Sequence, residues 1–117
     1  MTASQMLAHL SDAKRMALKE LSVAPRWLPI RYPPLKQLII YLAPFPKGAP
    51  TAPALLARRP EAWDVERRNL SVLIQRFGTL PPDFVWPPHP AFGKLSRSAW
   101  GVLGYRHTDH HLRQFGV

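Results

Sequence analysis

The chain has 117 residues, of which 46% are hydrophobic, and it contains no cysteine. This length suits one small domain with a hydrophobic core, and the missing cysteines exclude disulfides, thiolate metal ligands and a cysteine nucleophile. Lysine and arginine number 16 against 7 aspartates and glutamates, a formal charge of +9, so polyanions have to be weighed as partners.

The prolines mark the connections between the predicted elements. Proline disrupts a helix interior because it lacks the N–H donor and clashes with the preceding turn. All 14 fall in three zones of the sequence: 25–34, 44–60 and 81–90. The Pro-free windows are therefore predicted helices: 1–24, 35–43, 61–80 and 91–117. Because no β-leaning run has an alternating partner, we predict an all-α fold with a single domain over residues 1–117.

The first predicted helix carries a candidate metal ligand, His9. Thr2 and Gln5 are spaced as in a capping box. His9 lies inside an apolar arc of the helical wheel, where a lone histidine is more often a hydrogen-bonded core residue than a ligand. Asp12 and Gln5 lie near the edge of that side and are candidates to orient the ring. Lys14 is expected on another, solvated face.

The middle of the chain is predicted to contribute core residues and not ligands. The segment 35–42 is apolar nearly all round, which predicts a short buried helix. The irregular Pro-rich loop that follows at 44–53 could line a site or could merely cross the bundle. Trp27 and Tyr32 are expected to pin the linker before this segment. The next helix is expected to begin at Pro60 and to stop at Gly78. Its apolar residues are predicted to form a core stripe: Trp63, Leu70, Leu73, Ile74 and Phe77.

The following loop contains His89 between prolines and tryptophan. A histidine in this setting could contact a metal or a substrate. The commoner alternative is a histidine that is hydrogen-bonded within its own loop.

The last predicted helix is expected to be capped by Ser96 and to end at Gly116. It contains the motif His107-Thr-Asp-His110-His111. At 3.6 residues per turn, positions i and i+4 project from one face, so His107 and His111 form a pair able to hold one divalent ion. Trp100 shares this face, so the pair is expected to point inward. His110 lies at the edge of the face. Asp109 lies nearly opposite, which argues against a catalytic role for it.

An antiparallel bundle would bring His9 together with His107 and His111. Three neutral imidazoles can complete three corners of a Zn, Ni or Fe(II) site and leave a position for water or substrate. The alternative is that the HxxxH spacing arises by chance, since histidines also favour the C-terminal end of the helix dipole. Gln114 and Asp12 are the leading candidates to orient the ligands, with Gln5 and His110 as weaker ones.

Three stretches carry a resemblance to a known family. The C-terminal stretch from His89 through Trp100 to the histidine motif, the stretch Ser4-Gln-Met-Leu-Ala-His9-Leu, and the loop Lys47-Gly-Ala-Pro-Thr-Ala-Pro53 resemble a branch of the DinB-like superfamily made up of bacterial proteins of unassigned function. The resemblance implies a four-helix, up-down bundle with His9, His107 and His111 as metal ligands. His110 then corresponds to an intervening histidine that is not a ligand.

The resemblance also implies chemistry and a departure from the family pattern. Characterised relatives include thiol-dependent transferases and isomerases, so a low-molecular-weight thiol is an expected cosubstrate, because this chain has no cysteine of its own. Family members usually carry another helix before the first histidine motif. We therefore expect either a start further upstream or a homodimer that replaces the missing helix.

Several function classes remain open from the sequence. The leading one is a divalent-metal enzyme that transfers or activates a thiol or hydrolyses a small molecule. A basic nucleic-acid module is disfavoured because recognition-helix and aromatic-basic patterns are absent. The third is a helical protein with a structural metal. No segment reaches the ~20 apolar residues of a membrane span, and the start lacks signal-peptide features, so no membrane partner and a cytoplasmic location are expected.

Overall fold

The computed structural model describes residues 2–25, 29–43, 55 and 58–116, and every regular element in this part of the chain is helical. In chain order, the elements are α1 at Ala3–Ala17, a 3-10 turn at Pro29–Arg31, α2 at Leu35–Gln37, a π-helical turn at Leu38–Leu42, α3 at Trp63–Gly78 and α4 at Arg97–Gln114. The described residues contain no strand, only an isolated β-bridge between His89 and Gly93. The prediction of an all-α fold is confirmed for these residues.

The chain divides into two compact units. The first consists of Met1–Val23 and Thr51–Val85 and contains α1 and α3; the second consists of Ala24–Pro50 and Trp86–Val117 and contains α2, the π-helical turn and α4. The predicted loop at 44–53 and Trp27 lie outside the described residues, and Tyr32, the other residue expected to pin the linker, is 53% exposed. No helix in the described ranges is long and apolar enough to cross a membrane.

Helix α1 begins with the predicted capping box. The backbone N–H of Thr2 donates to Gln5 Oε1 at 2.6 Å, and the backbone N–H of Gln5 donates to Thr2 Oγ1 at 3.1 Å. The two side chains thus satisfy donors that have no partner inside the helix. The start of the first helix is confirmed to the residue.

Helix α1 is buried more completely than an amphipathic pattern predicts. Residues 6–12 are buried without interruption, and Lys14 is only 6% exposed. The prediction that Lys14 faces solvent is wrong, because its Nζ lies 4.9 Å from the centroid of the Phe77 ring. The negative face of an aromatic ring can hold a desolvated ammonium group. Burial lowers the pKa of Lys14 to about 8.

Helix α3 packs against α1 within the first unit. It begins at Trp63 and not at the predicted Pro60, and it ends at Gly78 as predicted. The predicted stripe is wrong for Trp63 and Ile74, which are 46% and 43% exposed. The inward residues are Glu66, Leu70 and Leu73. Helical spacing places Glu66 on the same stripe as Leu70 and Leu73, but it does not show that the acid is buried, because burial requires a partner from outside the helix.

The second unit is built on α4. Ser96 caps the helix by accepting from the Ala99 N–H at 3.1 Å, and Gly116 follows its end with φ 79°, a conformation that favours glycine. Both predicted ends are confirmed. Near its N-terminal end, the buried residues of α4 include Trp100, whose ring stacks on Trp86 with centroids 5.6 Å apart.

The prediction of a buried helix over 35–42 is wrong. The segment is helical, but Ile40 is its only buried residue and Leu42 is 76% exposed. Arg106 of α4 binds its C-terminal end, donating to the carbonyl oxygens of Ile39 at 2.8 Å and Ile40 at 2.7 Å and also to that of Ala43. One side of the segment therefore meets α4. Because the segment is apolar on all sides, its composition could not indicate which side would be covered.

Candidate metal centre

The histidine pair of α4 has the geometry that its spacing predicts. The rings of His107 and His111 lie with centroids 4.7 Å apart and planes at 84°. Both side chains are half-buried. Two imidazoles one helical turn apart can therefore present ring nitrogens to a common point without a change in the helix.

A side-chain amide fixes the ring of His111. Gln114 Oε1 lies 2.9 Å from His111 Nδ1, and because an amide oxygen accepts, Nδ1 carries the proton and the lone pair is on Nε2. Ligand histidines commonly donate their second nitrogen in this way, which fixes the ring orientation and raises the basicity of the ligand. The candidate orienting residue Gln114 thus lies in contact with a candidate ligand.

A backbone carbonyl fixes the ring of His9, as the Gln114 amide does for His111. It is 3% exposed in α1, and its Nδ1 lies 3.3 Å from the Leu55 carbonyl oxygen. A carbonyl oxygen only accepts, so the proton of the neutral ring is on Nδ1 and the lone pair is on Nε2. Burial lowers the pKa of His9, although the Leu55 carbonyl and the Asp12 charge oppose this shift. A neutral imidazole is the form that binds metals.

The other residues considered for orienting the ligands have different partners. Asp12 is bound to Arg15 at 2.7 Å and to Arg58 at 3.2 Å, so its effect on His9 is electrostatic. Gln5 contributes its side-chain oxygen to the cap of α1. Asp109, which was expected to lie away from the ligand face, pairs with Arg113 at 2.9 Å.

His110 is the neighbour of the pair and not a member of the group of three. Its ring lies 5.2 Å from that of His111 at an angle of 71°. It is half-buried, like the pair itself. This placement makes His110 a matched reference for the ligand candidates, since it shares their helix and their burial.

One ring nitrogen of each of His9, His107 and His111 lies within 4.8 Å of those of the other two. These three histidines could hold a metal ion. Nitrogens about 2.1 Å from one tetrahedral zinc ion lie about 3.4 Å from each other, which is within this limit.

The structure does not bring His89 into this group. Its Nδ1 accepts from the backbone N–H groups of Ala91 at 3.0 Å and Phe92 at 3.2 Å, so the proton is on Nε2. The ring packs against Trp100 with centroids 5.3 Å apart. Burial, with a smaller contribution from the Lys36 charge, lowers the pKa of His89 to about 4. These contacts favour the hydrogen-bonded loop histidine among the two sequence alternatives.

Sequence reasoning missed a cluster of charges beside His9. Arg58 donates from Nη1 and Nη2 to the two carboxylate oxygens of Glu66 at 2.7 and 2.8 Å, and Glu66 is fully buried. The available signal was the position of Glu66 on the stripe that continues through Leu70 and Leu73. A charged residue at a core position calls for a buried partner.

Comparison with known proteins identifies the family but not an activity. The family model described as a protein of unknown function, DUF1569, matches residues 2–116. The chain therefore belongs to this family. No curated protein and no solved structure matches it.

Proposed function

We propose that this protein is a divalent-metal-dependent enzyme of the DinB-like kind that acts on a small molecule, with His9, His107 and His111 as its metal ligands. The proposal includes an up-down bundle of that superfamily as its fold. The single observation that carries it is the grouping of three histidine ring nitrogens within 4.8 Å of one another. These histidines come from near both ends of the sequence, so chance spacing on one helix does not explain the group.

The protonation of the candidate ligands suits metal binding, and so do the hydrogen bonds made by their other ring nitrogens. His9 and His111 each present an Nδ1–H to an oxygen, from Leu55 and Gln114 respectively, which places both lone pairs on Nε2. Burial favours the neutral form of His9, so no proton has to be displaced from its ligating atom at neutral pH. Neutral imidazoles suit Zn, Ni and Fe(II).

The number of ligands supports a catalytic site more than a structural one. Structural zinc sites are closed by four protein ligands, whereas catalytic sites use three and keep a position for water or substrate. Within the described ranges, the group contains three histidines and no carboxylate. A metal held there would supply Lewis acidity, lowering the pKa of a bound water or thiol.

The resemblance to the DinB-like superfamily favours thiol-dependent transfer or small-molecule hydrolysis as the reaction. Because the chain has no cysteine, the thiol would enter as a low-molecular-weight cosubstrate. His9 and His111 would bind the metal through Nε2, while the Leu55 carbonyl and the Gln114 side chain hold their rings.

The first test measures metal content in matched variants. Elemental analysis of the purified protein after incubation with one equivalent of Zn²⁺ and gel filtration should give about one ion per chain for the wild type. His107→Ala should lose most of it. His110→Ala is the control, since it removes the same side chain from the same helix outside the group of three, and it should retain its metal. Equal metal content in all three proteins would overturn the assignment.

The second test separates a catalytic site from a structural one. In the Co²⁺-substituted protein, azide or a small thiol should change the visible d–d spectrum, because an open position admits an exogenous ligand. A spectrum that stays constant up to millimolar thiol and azide would indicate a closed site. In that case, the metal would only fasten helices and the enzymatic proposal would be wrong.

A further inference from the structure

Arg58 joins two helices through a single guanidinium group. Nη1 and Nη2 donate to the two carboxylate oxygens of Glu66 on α3, at 2.7 and 2.8 Å. Nε lies 3.2 Å from both carboxylate oxygens of Asp12 on α1. Nη2 also lies 3.4 Å from the Ala8 carbonyl oxygen. All five N–H donors of an arginine point in fixed directions, so this arrangement holds the residue tightly against α1 and α3.

The carboxylates make this attachment strong. The side chains of Glu66 and Asp12 are 0% and 6% exposed, and that of Arg58 is 31% exposed. Buried carboxylates are costly without a cation and bind one firmly where geometry permits a bidentate contact. Arg58 is thereby fixed at the surface of α1 on both sides of His9: at Ala8, the residue before it, and at Asp12, three residues after it.

The attachment point lies three positions after Leu55, whose carbonyl oxygen is 3.3 Å from His9 Nδ1. The Cα atoms of residues three positions apart lie within about 10 Å of each other, so an Arg58 side chain held against α1 and α3 restricts the region in which the Leu55 carbonyl can lie. The carbonyl in turn decides which ring nitrogen of His9 carries the proton.

We propose that Arg58 is a positioning residue for the metal centre: by clamping Asp12 and Glu66, it holds the Leu55 carbonyl on His9 and keeps that ring in the tautomer whose Nε2 can bind a metal. The tautomer itself does not depend on a metal. Its use in metal binding rests on the proposed function.

Arg15 provides a matched control. It also binds Asp12, with Nη1 2.7 Å from Oδ1, but it belongs to α1 itself and does not constrain the Leu55 carbonyl. Arg15→Met therefore removes one cation from the same carboxylate without releasing the Arg58 clamp. Arg58→Met alone would leave Glu66 buried with a charge, so the double variant Arg58→Met with Glu66→Gln is used, because it removes both charges and is expected to fold.

The experiment compares the tautomer of His9 in metal-free proteins with ¹⁵N-labelled histidine. Long-range ¹H–¹⁵N spectra distinguish a protonated ring nitrogen from one with a lone pair, and His9→Gln identifies the resonance. The wild type and Arg15→Met should both show His9 protonated at Nδ1. The folded double variant should show the ring shifted towards the Nε2-protonated form. A double variant that keeps the wild-type pattern would overturn the proposal.

A parallel titration with Zn²⁺ connects the tautomer to the metal. Loss of a contact that orients a ligand typically weakens metal binding 10- to 100-fold, so we expect a loss of about tenfold in the double variant and less than about twofold in Arg15→Met. A wild type that binds no Zn²⁺ but shows the predicted tautomers would refute the proposed function and leave the positioning role of Arg58 intact. Equal affinity in all variants, with Zn²⁺ bound, would refute the positioning role alone.

Discussion

The contact between Arg58 and Glu66 predicts that replacing Arg58 alone destabilises the protein strongly, and that replacing both residues restores most of the lost stability. Arg58→Met would leave the fully buried carboxylate of Glu66 without its cation, and breaking a buried pair from one side typically costs 3–5 kcal/mol. Because the Arg58 side chain is 31% exposed, water can replace part of the interaction, and we expect a cost of about 3 kcal/mol. Removing both charges, with Arg58→Met and Glu66→Met together, should restore most of this stability.

Urea unfolding followed by circular dichroism at pH 7 measures the four proteins of this double-mutant cycle. A coupling free energy of about 3 kcal/mol between the two positions is expected. If Arg58→Met costs less than about 1 kcal/mol, or if the double variant is no more stable than the single one, the two side chains do not form a buried pair and the reasoning fails.

The pH dependence of the coupling provides an independent check. The hydrogen bond from Arg58 holds the pKa of Glu66 below its ordinary value of 4.5. A carboxyl group with a depressed folded-state pKa contributes stability that is fully present above the unfolded-state pKa and is lost as the pH falls through the folded-state pKa. The coupling should therefore be constant from pH 7 to about pH 5.5 and should shrink below pH 4.5. An increase in acid would contradict the assignment.

Three further predictions concern single contacts. Thr2→Ala removes the cap of α1 and should cost about 1 kcal/mol in thermal unfolding, whereas Thr2→Ser should cost little. Gln114→Ala removes the acceptor from His111 Nδ1 and should weaken Zn²⁺ binding about tenfold, with equal affinity as the contrary result. Arg106→Met removes the donors to three carbonyl groups and should cost about 2–3 kcal/mol, seen as faster amide exchange in the second unit; unchanged exchange would contradict it.

The ends of the helices were predictable because their chemistry is local. Thr2 and Gln5 lie three residues apart and satisfy each other's backbone donors, and the Ser96 hydroxyl accepts from the Ala99 N–H. Glycine at position 116 adopts a φ of 79°, which favours this residue type. Each of these features depends only on residues in one turn, so the sequence contains all the information needed.

The faces of the helices were less predictable, because burial depends on partners elsewhere in the chain. Lys14 is buried over Phe77, and Glu66 is buried against Arg58. A hydrophobicity pattern assigns both charged residues to solvent. For the segment 35–42 the error is the opposite one: the pattern predicts burial, but most of its apolar side chains are exposed. An apolar side chain can remain exposed where no other element covers it.

The candidate metal centre contains features that the sequence predicts and features that it does not. The pair His107 and His111 follows from helical periodicity, and so does the position of Gln114 three residues after His111. The contact of His9 with the Leu55 carbonyl joins residues 46 positions apart, and no local pattern contains it. The sequence could therefore nominate the histidines, but it could not tell which ring nitrogen each of them presents.

The direction of the Nδ1 hydrogen bond separates the histidines by a criterion that is independent of distance. In His9 and His111, Nδ1 lies against an oxygen acceptor, so the ring has its lone pair on Nε2 and can bind a cation there. In His89, Nδ1 accepts two backbone N–H groups, so its lone pair is occupied and Nε2 can only donate. The two histidines that this criterion selects both belong to the group whose ring nitrogens approach one another, and the one that it rejects does not. Because the proton positions follow from acceptor chemistry and the grouping follows from distances, their agreement supports a metal-binding function more strongly than either does alone.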